Sequence, residues 1–298
     1  MKGSYLNDEF FSRLETLSLN LRKDLTGFFG GKHLVRTYGQ TVEFADYREY
    51  MLGDDIRRID WNLYSRFEKY FLKLFTDERQ MKVQIFLDCS ASMGKPDGKK
   101  ASYAVAMAAA LGFLAVQNMD KLEYKLIKGE TAEDPFGIIV GKNSFFRAVG
   151  ELEKIDFDGE ADLSKAITDA PTGTGDGLSV VISDFFTEND WKKAVDFLRY
   201  KNRQVLLIQI LTPEEIDPSY TGRVNLIDAE SEEITDERNM KLKITRGMLD
   251  AYRRAISDMQ SDMRSFCASR EAAYFCINTA EPIERAVFDE LFGAGLAE

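Results

Sequence analysis

The sequence predicts an α/β fold in which a mostly parallel sheet is covered by helices on both faces. Three observations predict it. Short, fully apolar runs recur from residue 83 onward, as in strands buried on both sides. Segments with helical spacing separate those runs, and strand–helix alternation of this kind implies a parallel sheet. With 298 residues and a hydrophobic share of 44%, the chain can bury a large core without disulfide staples.

The elements follow in order. Leu6, Phe10, Leu14, Leu17, Leu21 and Leu25 recur at steps of three and four, which predicts a helix ending near Gly27. A Gly30-Gly31 loop precedes the single histidine, His33, which has no cysteine pair or second histidine to make a zinc site. Residues 37–77 mix charge and aromatics without a long period and read as short strands and turns. Val83-Gln84-Ile85-Phe86-Leu87 is a buried strand, and residues 99–118 form a helix. That helix is uncharged from Ala101 to Met119; alanine dominates it, which favours a buried core helix over a membrane span. Further strands are expected at 122–128, 136–140, 178–183, 204–211 and 274–277. Helices are expected at 144–154, 163–169, 188–200, from Met248 to Phe266, and at 283–292. The acidic stretch 228–239 reads as an exposed loop or hairpin tip. Residues 1–80 are expected to be a helix and extension packed on a core domain of residues 81–298.

Composition removes several functions. A net charge of −11 with no basic stripe is repelled by phosphate backbones, so nucleic acid is not an expected partner. Cys89, Cys267 and Cys276 form no C-x-x-C pair and read as small buried apolar residues. That usage fits a reducing compartment. With no signal-peptide segment and no membrane span expected, the expected location is cytoplasmic.

In open parallel sheets, ligands bind at the carboxyl ends of the strands. Asp88 ends one strand and Asp184 ends another, and Ser90 and Ser92 lie in a tight turn beside Asp88. One carboxylate and two hydroxyls on one concave surface suit a hard divalent cation: Mg²⁺ first, with Mn²⁺ or Ca²⁺ as alternatives. The serine hydroxyls would ligate it directly, and Asp88 and Asp184 would hold bound waters. Serine is also a favoured helix cap, so the same pair reads as caps for the helix near Lys99.

Asp88-Cys89-Ser90-Ala91-Ser92 resembles the metal-ion-dependent adhesion site of von Willebrand factor A domains. The block from Phe44-Ala45-Asp46-Tyr47-Arg48-Glu49-Tyr50 through Gly53-Asp54-Asp55-Ile56-Arg57-Arg58-Ile59-Asp60-Trp61 resembles family 58 of the domains of unknown function. These are bacterial and archaeal A-domain proteins often encoded beside MoxR-type AAA+ ATPases. The resemblance implies a von Willebrand factor A-type sheet, with Asp88, Ser90 and Ser92 in the first loop and Asp184 as the third-loop carboxylate. It implies a protein partner, with a MoxR-type AAA+ ATPase as the candidate. The second loop departs from the pattern: Ala161 stands where a threonine is usual, so Glu160 or Asp162 would have to replace its oxygen. In the block, Asp54, Asp55 and Asp60 are expected to pair with Arg48, Arg57 and Arg58, and Trp61 to anchor packing.

Three functions compete: a non-enzymatic, metal-dependent adaptor; a metal-free scaffold with a degenerate site; and a metal-dependent phosphatase using Asp88. The phosphatase needs cations for the developing phosphoryl charge, and Lys99 and Lys100 read as first-turn helix surface. The sequence leaves the oligomeric state open.

Overall fold

The computed structural model describes residues 6–21, 42–51, 54–77, 81–173, 175, 177–187, 189–219, 222–226 and 240–286. Two units emerge, residues 25–80 and the remainder. The N-terminal helix α1 (Asp8–Leu21) therefore belongs to the larger unit rather than to the extension. The end expected for it near Gly27, and His33, fall outside the described residues.

In the smaller unit, β1 (Val42–Glu49) pairs antiparallel with β2 (Phe71–Asp77), with a bulge between Phe44 and Asp46. A 3-10 turn at Ile56–Arg58 and helix α2 (Trp61–Phe67) lie between the strands. The acidic residues here serve the backbone as well as arginine. Asp54 pairs with Arg48 at 2.8 Å. Asp55 accepts from the Arg57 amide, and Asp60 caps α2 by accepting from the Asn62 and Leu63 amides. A side-chain oxygen at this position satisfies amides that have no partner within the helix. Trp61 departs from its expected role. It is 61% exposed, with its ring edge-on to Tyr64 and Tyr70.

The larger unit is built on β3 (Lys82–Asp88), which leads through the one-turn helix α3 (Ala91–Gly94) into α4 (Lys99–Gln117). There follow β4 (Lys121–Lys128), β5 (Thr131–Glu133), α5 (Lys142–Leu152), α6 (Leu163–Asp169) and β6 (Gly177–Ser183). Next come α7 (Lys192–Tyr200), β7 (Gln204–Leu211), α8 (Pro213–Ile216) and the hairpin β8 (Gly222–Leu226) and β9 (Met240–Ile244). The chain continues through α9 (Arg246–Ser269), β10 (Ala273–Asn278) and α10 (Ile283–Arg285). Helix α8 has no counterpart in the elements expected from sequence; the hairpin β8–β9 flanks the acidic stretch 228–239 that the sequence offers as a loop or hairpin tip, and that stretch itself lies outside the described residues.

The main sheet runs β10-β7-β6-β3-β4-β5, parallel except for β5. Numbered within the sheet this is the order 3-2-1-4-5-6, which reverses direction between β3 and β6. The third strand is Thr131–Glu133 and not the expected 136–140: Gly137 breaks that run with φ +61°, leaving Ile139 a single bridge to Leu122.

Both faces of the sheet are covered. Phe86, Val181, Val205 and Leu207 pack with α6, α7 and α9 through Leu163, Ile167, Val195, Leu198 and Met263. Alternation along each strand turns Ile85, Leu87, Val180 and Ile182 to the opposite face, where α4 lies across β3, β4, β6 and β7. Phe11 of α1 adds a ring against Phe113 of α4 and Phe145 of α5. As its alanine content suggests, α4 is a core helix; 83% of its most apolar window is buried. It lies so close to β4 that a methyl group at Gly112 would meet the Tyr124 hydroxyl at 2.1 Å.

Asp120, at the turn into β4, is buried and accepts the Met81 amide at 2.8 Å. Burial pushes its carboxyl up to about 6. A raised folded-state value favours the protonated carboxyl, so its stabilising contribution is present at pH below the ordinary carboxylate range and is lost as pH rises through about 6. Asp120→Asn is expected to remove this pH dependence, which amounts to about 1.4 kcal/mol for each tenfold difference in proton affinity between the folded and unfolded chain. Urea denaturation of both proteins at pH 4.5 and 7.5 checks it: equal pH dependence would show that Asp120 is not its source.

Candidate functional site

Three loops meet at the carboxyl end of β3 and β6, where the sheet order reverses. The first follows β3. The Cys89 amide bonds the Ile127 carbonyl, and the first loop locks to the second through Ala91 N–H to Gly159 O (2.9 Å) and Asp158 N–H to Cys89 O (2.9 Å). At Gly94 a Cβ would lie 2.8 Å from Phe157, so glycine permits this close approach. Cys89 is buried within the loop, and burial pushes its thiol up to about 12, leaving it an unreactive packing residue.

Asp88 is 4% exposed and both its oxygens are engaged. Oδ1 accepts the Ser90 amide at 2.9 Å, and Oδ2 accepts the Ser183 hydroxyl at 2.6 Å. Burial raises its carboxyl above the usual range, the nearby Asp184 charge adds to this, and the Ser183 and Ser90 hydrogen bonds oppose it. Nothing in the sequence singles out Ser183. Its hydroxyl also accepts the Phe185 amide at 2.9 Å, so it joins the first loop to the third.

Ser90 and Ser92 do not act as helix caps. Ser90 begins α3 but its side chain makes no cap bond, and the residue before α4 is Gly98. The two hydroxyls instead face each other, Oγ to Oγ 3.1 Å. Two neighbouring ligands on octahedral Mg²⁺ at ~2.1 Å are ~3.0 Å apart, and the flexible six- to eight-ligand shell of Ca²⁺ brackets the same spacing. The serine pair is spaced to serve as neighbouring ligands for either ion.

The third loop is strained. Phe185 takes the left-handed backbone conformation (φ +57°), uncommon outside glycine and asparagine. Its buried ring, edge-on to Trp191, holds it there, while the Phe186 amide donates to Asp184 Oδ1 at 3.0 Å. The other oxygen of Asp184 accepts Lys100 Nζ at 2.8 Å. This corrects the surface reading of Lys100. Its side chain is 2% exposed, and it also bonds Glu215 Oε1 at 2.6 Å. Burial by itself would lower Lys100; the charges of Asp184 and Glu215 outweigh it and hold the ammonium above its ordinary value. Glu215 is in turn fixed by a capping box with Thr212 at the start of α8.

The second-loop residues stand differently. Asp162 Oδ1 caps α6 by accepting the Lys165 amide at 2.9 Å, and Glu160 is exposed. Ala161 pairs with Gly129 at the end of β4. Among the described residues no three His, Cys, Asp or Glu side chains form a cluster able to hold a metal. Asp162 and Glu160 thus do not join Asp88 and Asp184 in a shared carboxylate cage.

A mostly parallel sheet with a D-x-S-x-S loop and a second strand-end aspartate at its switch point is the arrangement that the resemblance to von Willebrand factor A domains implies. Residues 46–258 match the family described as "Protein of unknown function DUF58", and the chain belongs to that family. "Uncharacterized protein Mb1516" of Mycobacterium bovis and "Uncharacterized protein Rv1480" of Mycobacterium tuberculosis are each 27% identical to it over 270 residues, covering 88% of this chain and 83% of theirs. Among solved structures, the conserved hypothetical protein BatB from Bacteroides thetaiotaomicron is 16% identical, with TM-score 0.41, covering 73% of this chain and all of that one. The SpRpn10 VWA domain is 10% identical, with TM-score 0.39, covering 71% and 95%. Family membership rests on the matched residues, and the fold on the chain's own strand order.

Ser183→Ala leaves Asp88 buried with one of its two donors gone. The expected loss is ~1–3 kcal/mol of unfolding free energy, read by urea denaturation at pH 7. A change within error would show that the Ser183 bond does not support the first loop.

Proposed function

We propose that this chain is a non-enzymatic protein-binding module whose docking surface is the three-loop edge around Ser90 and Ser92. The observation that carries the reading is the serine pair itself: two hydroxyls 3.1 Å apart, unused as caps, beside a buried strand-end aspartate. Ser90 and Ser92 would hold a divalent cation directly, Mg²⁺ first, with Mn²⁺ or Ca²⁺ as alternatives. Asp88 and Asp184 would act through water, since their oxygens already accept protein donors. When bound, the ion supplies an electrophilic position that a partner's Asp or Glu can complete. The association of this family with MoxR-type AAA+ ATPases makes such an ATPase, or a protein it acts on, the proposed partner, in the cytoplasm. Asp88 is poorly placed as a phosphatase nucleophile, being buried with both oxygens hydrogen-bonded.

A second reading, a metal-free scaffold, is favoured by one specific observation. Lys100 already places a cation against Asp184.

The first test is a thermal melt in EDTA and then in millimolar Mg²⁺, Mn²⁺ or Ca²⁺, on wild type and Asp88→Ala. An ion bound only by the folded state at ~100 times its Kd stabilises by roughly 2.7 kcal/mol. The expected outcome is a rise in wild type with at least one of these ions that is absent in the variant. No shift with any ion would leave the scaffold reading in its place.

A further inference from the structure

Lys100 stands where its helix gains nothing from it. It occupies the first turn of α4, where the aligned peptide dipoles disfavour a cation. Its side chain is nearly as inaccessible as the core, and removing an ammonium from water is costly unless it is paired. What explains the position is the pair of carboxylates that converge on it from elements far along the chain: Asp184 from the end of β6 at 2.8 Å and Glu215 from α8 at 2.6 Å. Asp184 is equally buried, whereas Glu215 is 27% exposed. The ammonium therefore bridges the interior of the site and its rim.

We propose that Lys100 is the resident counter-ion of this site: it neutralises the third-loop carboxylate and competes with any divalent cation for it. This rests on the reading of Asp88, Ser90, Ser92 and Asp184 as a metal-binding set. The charges of the first and third loops would otherwise have to be answered by a metal. With Lys100 in place, the loops keep their arrangement without one. A divalent ion drawn to the serine pair and held through Asp184 would share that carboxylate with a fixed positive charge, and like charges on one carboxylate repel. The metal site is in this way set to bind weakly.

The test compares Mn²⁺ affinity, by titration calorimetry of EDTA-stripped full-length protein, for wild type, Lys100→Gln and Lys100→Arg. The glutamine amide can still donate to Asp184 but carries no charge. Lys100→Gln is expected to bind Mn²⁺ at least about tenfold more tightly than wild type, while Lys100→Arg, which keeps the charge, stays at the wild-type value. Measurable binding in Lys100→Gln alone also supports the counter-ion role, and it removes the metal-dependent reading of the native protein. Equal or weaker binding in Lys100→Gln beside a binding wild type overturns the counter-ion role and leaves the metal reading standing. Equal gains in both variants assign the effect to geometry and overturn the role too. No binding in any of the three overturns both. If Lys100→Gln does not fold, Lys100→Met, which fills the same space, carries the same comparison.

Discussion

A carboxylate at the end of a central strand, almost shut off from water, needs its charge answered by the protein around it. Asp88 is in that position, and the surrounding loops are arranged to meet the need. The Ser90 amide turns back onto one oxygen and the Ser183 hydroxyl crosses from the neighbouring strand to the other. These two bonds fix the direction in which the first loop leaves β3, and so the place of Ser90 and Ser92. Ser183 then takes the Phe185 amide, which sets the strained turn that presents Asp184. Asp184 requires an answer of its own, and Lys100 provides it from a different helix.

How far this could be read in the sequence depended on the range of each interaction. The apolar runs of β3, β6 and β7 are buried nearly throughout, so composition alone exposes them. The first loop was legible because its residues are consecutive and its motif is local. β5 was not, because Thr131-Ala132-Glu133 is a short edge segment with little buried surface, whereas the apolar residues 136–140 imitate a strand until Gly137 turns them. Lys100 was misread for a related reason: a lysine in a first helical turn looks like surface, and its two partners lie 84 and 115 residues away. Ser183 is an ordinary small residue in an apolar strand, and no spacing marks it as a donor to Asp88. Ala161 was legible as a departure, but the consequence was not. Asp162 beside it is engaged as a cap for α6, a role that follows from the helix start at Leu163 but competes with its reading as a replacement ligand.

The smaller unit shows how a charged block can be structural in detail. From sequence, Asp54, Asp55 and Asp60 read as partners for three arginines. Asp54 does pair with Arg48, and Asp55 and Asp60 satisfy backbone amides at the starts of short helices. Such short elements have few internal hydrogen bonds to spare, so each cap is a large share of what holds them. The aromatic group of Trp61, Tyr64 and Tyr70, with its tryptophan turned to solvent, is the part of this unit that backbone satisfaction does not explain.

The separations along the chain also set an order of assembly. The Ser183–Asp88 bond closes a span of 95 residues, and the Lys100–Glu215 bond one of 115. Contacts of that span form only after the intervening chain has found its place, because closing long loops costs entropy before any contact repays it. During synthesis the first loop is therefore made long before the residues that complete it. A chain halted ahead of α8 would carry the whole D-x-S-x-S signature and still lack the second partner of its buried lysine. The finished arrangement of Asp184, Lys100 and Glu215 is thus a mark of a chain folded through α8.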